Sequence, residues 1–170
     1  MNSTHKSYLP LIAVIALAAI FYFSVIVVLV FNIQAPLTPS SSASGKTPTV
    51  NILLYEGEIP NSSLYGFGTS PNNLTSPGPT LRFTTSDVVN ITVVNVGNMP
   101  HAFEITDAPA TDAKVLFNAK IGSAANPLQH EQQGTVIFIP NEAGASYYYI
   151  CPVPGHVSLG MYGSVVITAG

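Results

Sequence analysis

The chain has 170 residues, enough for one domain with short attachments, and only 8% of them are charged, against about 25% in typical soluble domains. The formal charge is −3 and the five basic residues form no cluster, which disfavours nucleic acid as a partner. Cys151 is the only cysteine, so an internal disulfide is excluded and the thiol needs another explanation.

Residues 1–10 are expected to be a short cytoplasmic N-terminus, which carries a charge at Lys6. Leu11–Phe31 is then an apolar run interrupted only by Tyr22 and Ser24, and about 20 such residues span a bilayer as a helix. The run is longer than the apolar part of a secretory signal, which favours an uncleaved transmembrane anchor over a cleaved leader. Lys6 precedes the run, so we expect a single-pass protein of the cell membrane with its C-terminal domain outside the cell.

Residues 32–49 are rich in Ser, Thr and Pro, which predicts a linker, and residues 50–170 are predicted to form the folded domain. Seven runs in the domain are rich in β-branched or aromatic residues and are separated by Pro, Gly and Asn clusters. The predicted strands are Val50–Tyr55, Thr80–Phe83, Val88–Val96, His101–Thr106, Thr135–Ile139, Ala145–Ile150 and Gly163–Thr168. Thr111–Ile121 is the least strand-like interval and is compatible with a short helix. The pattern predicts an all-β fold, an antiparallel sandwich.

Cys151, His156 and Met161 stand five residues apart in a loop between the last two predicted strands. Together with His101, which opens a strand after a turn, they supply one thiolate, two imidazoles and one thioether. Sulfur donors suit Cu(I) and imidazoles suit Cu(II), and this set is typical of a copper site with a His₂Cys plane and a weak axial Met. Residues 152–160 contain two prolines and two glycines, so the loop can turn tightly around one ion.

Each of these residues also has a simpler interpretation, since a lone Cys or His is more often a buried core residue than a ligand. The joint spacing favours ligation, and Met161 is the weakest assignment because methionine commonly fills cores. His5 and His130 have no partners at ligand spacing and are interpreted as surface residues. Tyr147–Tyr149 are predicted to pack in a strand rather than to relay electrons, with Tyr147 and Tyr149 on the same inward face as Cys151.

The Cys-x4-His-x4-Met spacing, the three tyrosines before it and the Gly-Met-Tyr-Gly around Met161 resemble the small blue copper proteins, the cupredoxins. The loop is most similar to that of sulfocyanins and rusticyanins, and an anchor followed by a Ser/Thr-rich linker is typical of sulfocyanins. The resemblance covers residues 50–170 and implies a Greek-key cupredoxin sandwich with one copper ion that cycles between Cu(II) and Cu(I). The ligands that it implies are His101, Cys151, His156 and Met161.

The resemblance also implies a function, which is that of an electron carrier and not of an enzyme, with no small-molecule substrate. Such a protein works in a respiratory chain on the outer face of the membrane. Its acceptor is a terminal oxidase complex, and its donor is a cytochrome or another carrier.

One position departs from the cupredoxin pattern. Many cupredoxins follow the first ligand His with Asn or Ser, which ties its strand to the Cys loop, and here that residue is Ala102. We expect the tie to pass to Asn95 or Asn98, or to be absent. Because the prolines of the loop have no N–H, the backbone N–H groups of Ala102 and Val153 are the candidate donors to the Cys sulfur. These features predict a fairly high reduction potential.

Other classes of copper protein share part of this pattern. A copper-binding or copper-delivery protein outside the cytoplasm would have the same ligands but would exchange its metal readily. A dinuclear copper centre needs two cysteines in the loop, and the chain has one. A multicopper enzyme needs further histidine clusters, whereas this chain has four histidines and no His-x-His pair. The electron carrier is therefore the favoured hypothesis, with copper delivery as the alternative.

Overall fold

The computed structural model describes residues 40–41 and 45–170. The predicted N-terminal segment, the predicted anchor at residues 11–31 and most of the predicted linker lie outside these ranges. Within them, none of the structure is a helix with the length and apolar character needed to cross a membrane. The described residues fold entirely as strands, turns and loops.

The described part of the chain contains ten β-strands. In chain order, the strands are β1 Ser40–Ser41, β2 Val50–Glu58, β3 Tyr65–Gly68, β4 Gly78–Thr84, β5 Val89–Asn95, β6 Phe103–Thr106, β7 Val115–Ile121, β8 Gln133–Phe138, β9 Gly144–Ile150 and β10 Tyr162–Thr168. They make two five-stranded sheets, with orders β1-β8-β5-β2-β3 and β4-β10-β9-β6-β7. The predicted all-β sandwich is confirmed, and each of the seven predicted strands is present.

The sheets are mixed, which differs from the wholly antiparallel pairing that the sequence predicted. β2 pairs with β5 in parallel, and so do β4 with β10 and β1 with β8. The chain leaves the first sheet after β3, forms β4 in the second sheet and then returns as β5, so β5 runs in the same direction as β2. Turn signals in a sequence mark where strands end, but they do not show which strand becomes the neighbour.

Two strands of the domain were not predicted. Residues 111–121, whose sequence is compatible with a short helix, contain β7, and β7 pairs with β6. Phe117 and Asn118 have φ angles of 53° and 52°, so the chain leaves the extended conformation there and the alternation of a strand is broken. β3 has only four residues, and two of them are glycines.

The core lies between the inward faces of the two sheets, and its aromatic part lies next to Cys151. Phe67, Phe103 and Tyr149 are completely buried, and their ring centroids lie 5.0 to 6.1 Å apart. The Tyr149 hydroxyl donates to the carbonyl of Pro79 at 2.7 Å, which satisfies its polar atom inside the core. The inward orientation and packing role predicted for Tyr149 are thus confirmed, and Cys151 follows it on the same face.

Candidate metal centre

The predicted ligands come together at one end of the second sheet. His101 precedes β6, Cys151 follows β9, and His156 and Met161 lie in the loop that leads into β10. Since β6, β9 and β10 are neighbours in this sheet, the ends of three adjacent strands meet at the site. The backbone of His101 is also paired with Leu128, because each donates its N–H to the carbonyl of the other, at 3.0 and 2.7 Å.

The loop of residues 151–161 is closed by its own backbone hydrogen bonds. Cys151 donates its N–H to the carbonyl of Met161 at 3.1 Å, and Met161 donates to the carbonyl of His156 at 3.0 Å. Gly155 and Gly160 have φ angles of 88° and 86°, which favour glycine and permit the tight turns expected from the sequence. All three potential ligands of the loop are therefore held against one another by the main chain.

The donor atoms of three side chains converge. His101 Nδ1 lies 3.1 Å from His156 Nδ1, and His156 Nδ1 lies 3.4 Å from the Sγ of Cys151. All three donor atoms lie within 4.8 Å of one another, and the three residues are buried. Met161 is completely buried, and its backbone contacts with two of them place it at the same site.

The protonation states of these groups suit a metal ion. Burial lowers the pKa of His101 to about 4, helped by His156 and opposed by the charge of Glu58, and burial also lowers the pKa of His156. Both rings are thus neutral near pH 7. Two neutral imidazole nitrogens 3.1 Å apart need either a proton or a cation between them, because facing lone pairs repel. The geometry of the donors therefore fits a bound cation.

The thiol of Cys151 has to lose its proton before its sulfur can bind a metal ion. Burial raises its pKa to about 12, helped by the nearby carboxylates of Glu56 and Glu104. Without a metal the sulfur stays protonated, and a thiophilic ion has to displace that proton. The backbone N–H groups of Ala102 and Val153 lower this pKa, and the N–H of Ala102 lies 3.4 Å from Sγ. The predicted donors to the sulfur are confirmed.

Asn95, one of the two residues expected to replace the tie that Ala102 cannot make, hydrogen-bonds to other segments. Its Nδ2 donates to the carbonyls of Met99 at 2.8 Å and Leu128 at 2.9 Å, and its Oδ1 accepts the N–H of Gly97 at 2.9 Å. Asn95 is completely buried. The side chain of Asn95 thus fastens the turn before the first histidine, and the expected tie to the Cys loop does not pass to this residue.

Tyr65 is a neighbour of the site that the sequence did not reveal. Its ring centroid lies 4.4 Å from that of His156 and 5.4 Å from that of His101, so one aromatic side chain packs against both imidazoles. The N–H of Tyr65 donates to the carbonyl of Leu159 at 3.1 Å, which attaches β3 to the ligand loop. The residue lies on one of the strands that was not predicted.

Among the described residues, the remaining histidine is His130, and it is separate from the cluster. The side chain of His130 is 52% exposed, which confirms the surface position predicted for it, and its Nδ1–H donates to the carbonyl of Gly97 at 2.7 Å. His5 lies outside the described residues.

Comparisons with known proteins agree with this geometry. Rusticyanin from Acidithiobacillus ferrooxidans is 29% identical over 93 residues, which are 52% of this chain and 50% of that protein. The chain thus spans about half the length of the curated relatives that it matches. A 1.27 Å structure of rusticyanin from Thiobacillus ferrooxidans superposes with a TM-score of 0.54 at 19% identity, over 79% of this chain and 85% of that one. A multicopper oxidase, mgLAC, gives a TM-score of 0.51 at 19% identity, over 71% of this chain and 39% of that one.

Residues 73–168 match the copper binding proteins of the plastocyanin/azurin family, and the chain belongs to this family. Its fold is the cupredoxin-like sandwich, and its cofactor is a single copper ion. The residues that form the type 1 copper site are His101, Cys151, His156 and Met161.

Proposed function

We propose that this protein is a membrane-anchored blue copper protein, related to the sulfocyanins, that carries single electrons in a respiratory chain. The supporting observation is the cluster of His101, Cys151 and His156, whose donor atoms lie within 4.8 Å in a buried site closed by backbone hydrogen bonds. Copper bound there supplies a one-electron couple. A site whose ligands are already in place changes little between oxidation states, which favours rapid electron transfer.

Each ligand has a role in this proposal. The imidazoles of His101 and His156 and the thiolate of Cys151 would hold the ion, and the thioether of Met161 would supply a further, weaker donor. Hydrogen bonds to the Cys151 sulfur and the dry surroundings favour the reduced state, so we expect a fairly high reduction potential. A potentiometric titration checks this expectation, and a value near the low end for blue copper proteins would contradict it.

In this proposal, electrons leave through the edge of the His156 ring. His156 is 6% exposed to solvent, whereas the other three ligands are completely buried. The surrounding surface includes Met99, which is 46% exposed, and the half-buried Val153. Both side chains are uncharged, so partners dock through apolar contact.

The location and the partners are further parts of the proposal. Residues 11–31 anchor the chain in the cell membrane, and residues 32–49 link the anchor to the copper domain outside the cell. A terminal oxidase complex accepts the electrons, and a cytochrome or another carrier supplies them. Membrane fractionation of the native protein, compared with a version that starts at Gln34, tests the anchor. Recovery of the native protein from the soluble fraction at the mass of the shortened version would reject it.

Addition of Cu(II) to the metal-free protein tests the copper site. We expect one equivalent of tightly bound copper and an intense absorption band near 600 nm, because thiolate-to-copper charge transfer requires the Cys151 sulfur. Cys151→Ser abolishes the band. His130→Gln is the matched control, since it changes a histidine outside the cluster and leaves the band intact. A blue band that persists in Cys151→Ser would contradict the assignment.

Copper delivery is the alternative function, because a delivery protein would use the same donor set. The two functions differ in kinetics. An electron carrier exchanges electrons in stopped-flow experiments much faster than it loses copper to a chelator. Slow electron exchange together with rapid loss of copper would favour delivery. Complete burial of Cys151 and His101 supports the carrier, since a ligand at the surface is easier for an acceptor protein to replace.

A further inference from the structure

The turn that leads into His101, residues 97–100, is held by a carboxylate from a distant strand. Glu58 ends β2, and its Oε2 accepts the N–H of Asn98 at 2.9 Å. Its Oε1 accepts the N–H of Met99 at 2.8 Å. One carboxylate thus receives two successive backbone N–H groups directly before a copper ligand. Hydrogen bonds to an ionised acceptor are stronger than neutral ones.

The hydrogen bonds that Glu58 accepts favour the ionised form of its carboxylate. Partial burial opposes its charge, but the backbone N–H groups of Glu58 itself, Met99 and Asn98 outweigh that effect and lower the pKa of Glu58. The same charge acts on both imidazoles of the site, since it favours the protonated form of His101 and of His156. Glu58 is therefore a fixed negative charge within electrostatic reach of the metal centre.

The turn packs closely against this carboxylate and against the end of β2. A Cβ at Gly97 would meet the Oε2 of Glu58 and would lie 2.8 Å from the Cα of Gly57. The turn therefore approaches the end of β2 so closely that it requires glycine at this position. Asn95 fastens the same turn through the carbonyl of Met99 and the N–H of Gly97.

We propose that Glu58 is a positioning residue for the metal centre, which holds the turn that carries His101 and favours the oxidised state of the site by its charge. This inference rests on the proposed copper function. An oxidised copper site has one more positive charge than a reduced one, so a nearby carboxylate stabilises the oxidised state. Glu58 thereby opposes the sulfur hydrogen bonds and the dry surroundings, which favour the reduced state.

Glu58→Gln removes the charge and replaces one acceptor oxygen by an NH₂ group, with nearly the same shape. Glu142→Gln is the matched control, because Glu142 is exposed in the connection between β8 and β9. Hydrogen exchange is measured on the metal-free proteins, and reduction potentials are measured on the copper proteins. For Glu58→Gln we expect about tenfold faster exchange at the amide of Asn98 or Met99, as the loss of a charge-assisted hydrogen bond predicts.

The reduction potential should rise in the same variant. We expect the equilibrium constant for electron uptake from a reference couple to increase about threefold or more, the order expected for a partly screened unit charge. Glu142→Gln should change neither quantity. Unchanged exchange at both amides, or a change in electron uptake no larger than in the control, would overturn the role of Glu58.

The proposed copper function can fail separately from this inference. A wild-type protein without the blue band would reject the type 1 site. The exchange experiment on metal-free protein would still show whether Glu58 holds the turn, because it does not depend on copper.

Discussion

At the scale of single residues, Glu56 is the least expected feature of the described structure. Its side chain is completely buried in the interior, and neither carboxylate oxygen has a hydrogen-bond partner. Burial raises its pKa from 4.5 to about 8, and its charge raises the pKa of Cys151. A buried carboxyl group of this kind makes the stability of the fold depend on pH.

The sign of that dependence follows from proton linkage. The folded protein binds the proton of Glu56 more tightly than the unfolded chain, so the free energy of unfolding decreases as the pH rises from about 4.5 to about 8. Glu56→Gln lacks this titration. We expect its free energy of unfolding to exceed that of the wild type by a few kcal/mol at pH 8, and by much less at pH 4.

Denaturant unfolding of both proteins at several pH values measures this difference. Glu142→Gln serves as the control for an exposed carboxylate. A difference between Glu56→Gln and wild type that stays constant from pH 4 to pH 8 would show that the pKa of Glu56 is not raised in the folded protein.

At the scale of elements, the ligand loop and the strands around it differ in how far the sequence predicts them. Cys151, His156 and Met161 lie within one short segment, so their spacing alone indicates a shared site. Tyr65 and Glu58 reach the site from strands far away in sequence. Neither belongs to a local motif, and only the pairing of strands brings them there.

The strands, too, are predicted from the sequence only where a local pattern marks them. Runs of β-branched residues predicted seven strands, because each run is long enough to show a pattern. The glycines of β3 and the left-handed residues of β7 hide that pattern. Parallel pairing of β2 with β5 depends on how the chain crosses between sheets, which no local pattern determines.

Two glycines of the ligand loop allow a direct test of its packing. Gly155 and Gly160 have nearly the same φ, but a Cβ at Gly155 would meet nothing within 4 Å, whereas a Cβ at Gly160 would meet the Oγ of Ser76. Gly155→Ala should therefore cost only the strain of a left-handed alanine, about 1 kcal/mol. Gly160→Ala should cost about 1 kcal/mol more, and it should also lose the hydrogen bond from Ser76 Oγ to the Gly160 carbonyl.

Denaturant unfolding of the two variants measures both costs. Gly160 directly precedes Met161, so we also expect Gly160→Ala, and not Gly155→Ala, to shift the visible absorption of the copper protein. Equal stabilities and identical spectra for the two variants would contradict the close packing of this loop against Ser76.

At the scale of the whole molecule, the scarcity of charge leads to a prediction about how salt affects electron exchange. Only 8% of residues are charged, and Met99, two residues before the first ligand, is exposed. We expect the rate constant of electron self-exchange to change less than about threefold between low and high salt, because few surface charges are available for screening. Stopped-flow or NMR measurements over a range of ionic strength determine this dependence.

Met99→Glu provides the contrast. It adds a second negative charge beside the carboxylate of Glu58, which accepts the N–H of Met99, and like charges on two copies repel. Self-exchange in this variant should be slower at low salt and should recover as salt is added. A strong salt dependence in the wild type would show that docking depends on charges away from this surface.

The raised pKa of Cys151 has a consequence for the protein before it receives copper. Oxidants and alkylating reagents attack the thiolate, and a thiol with a pKa of about 12 is almost never ionised at neutral or acidic pH. We therefore expect the metal-free folded chain to keep its single thiol reduced without the help of a reducing partner. It also resists forming disulfide-linked dimers, so copper can arrive after folding is complete and still find an intact ligand.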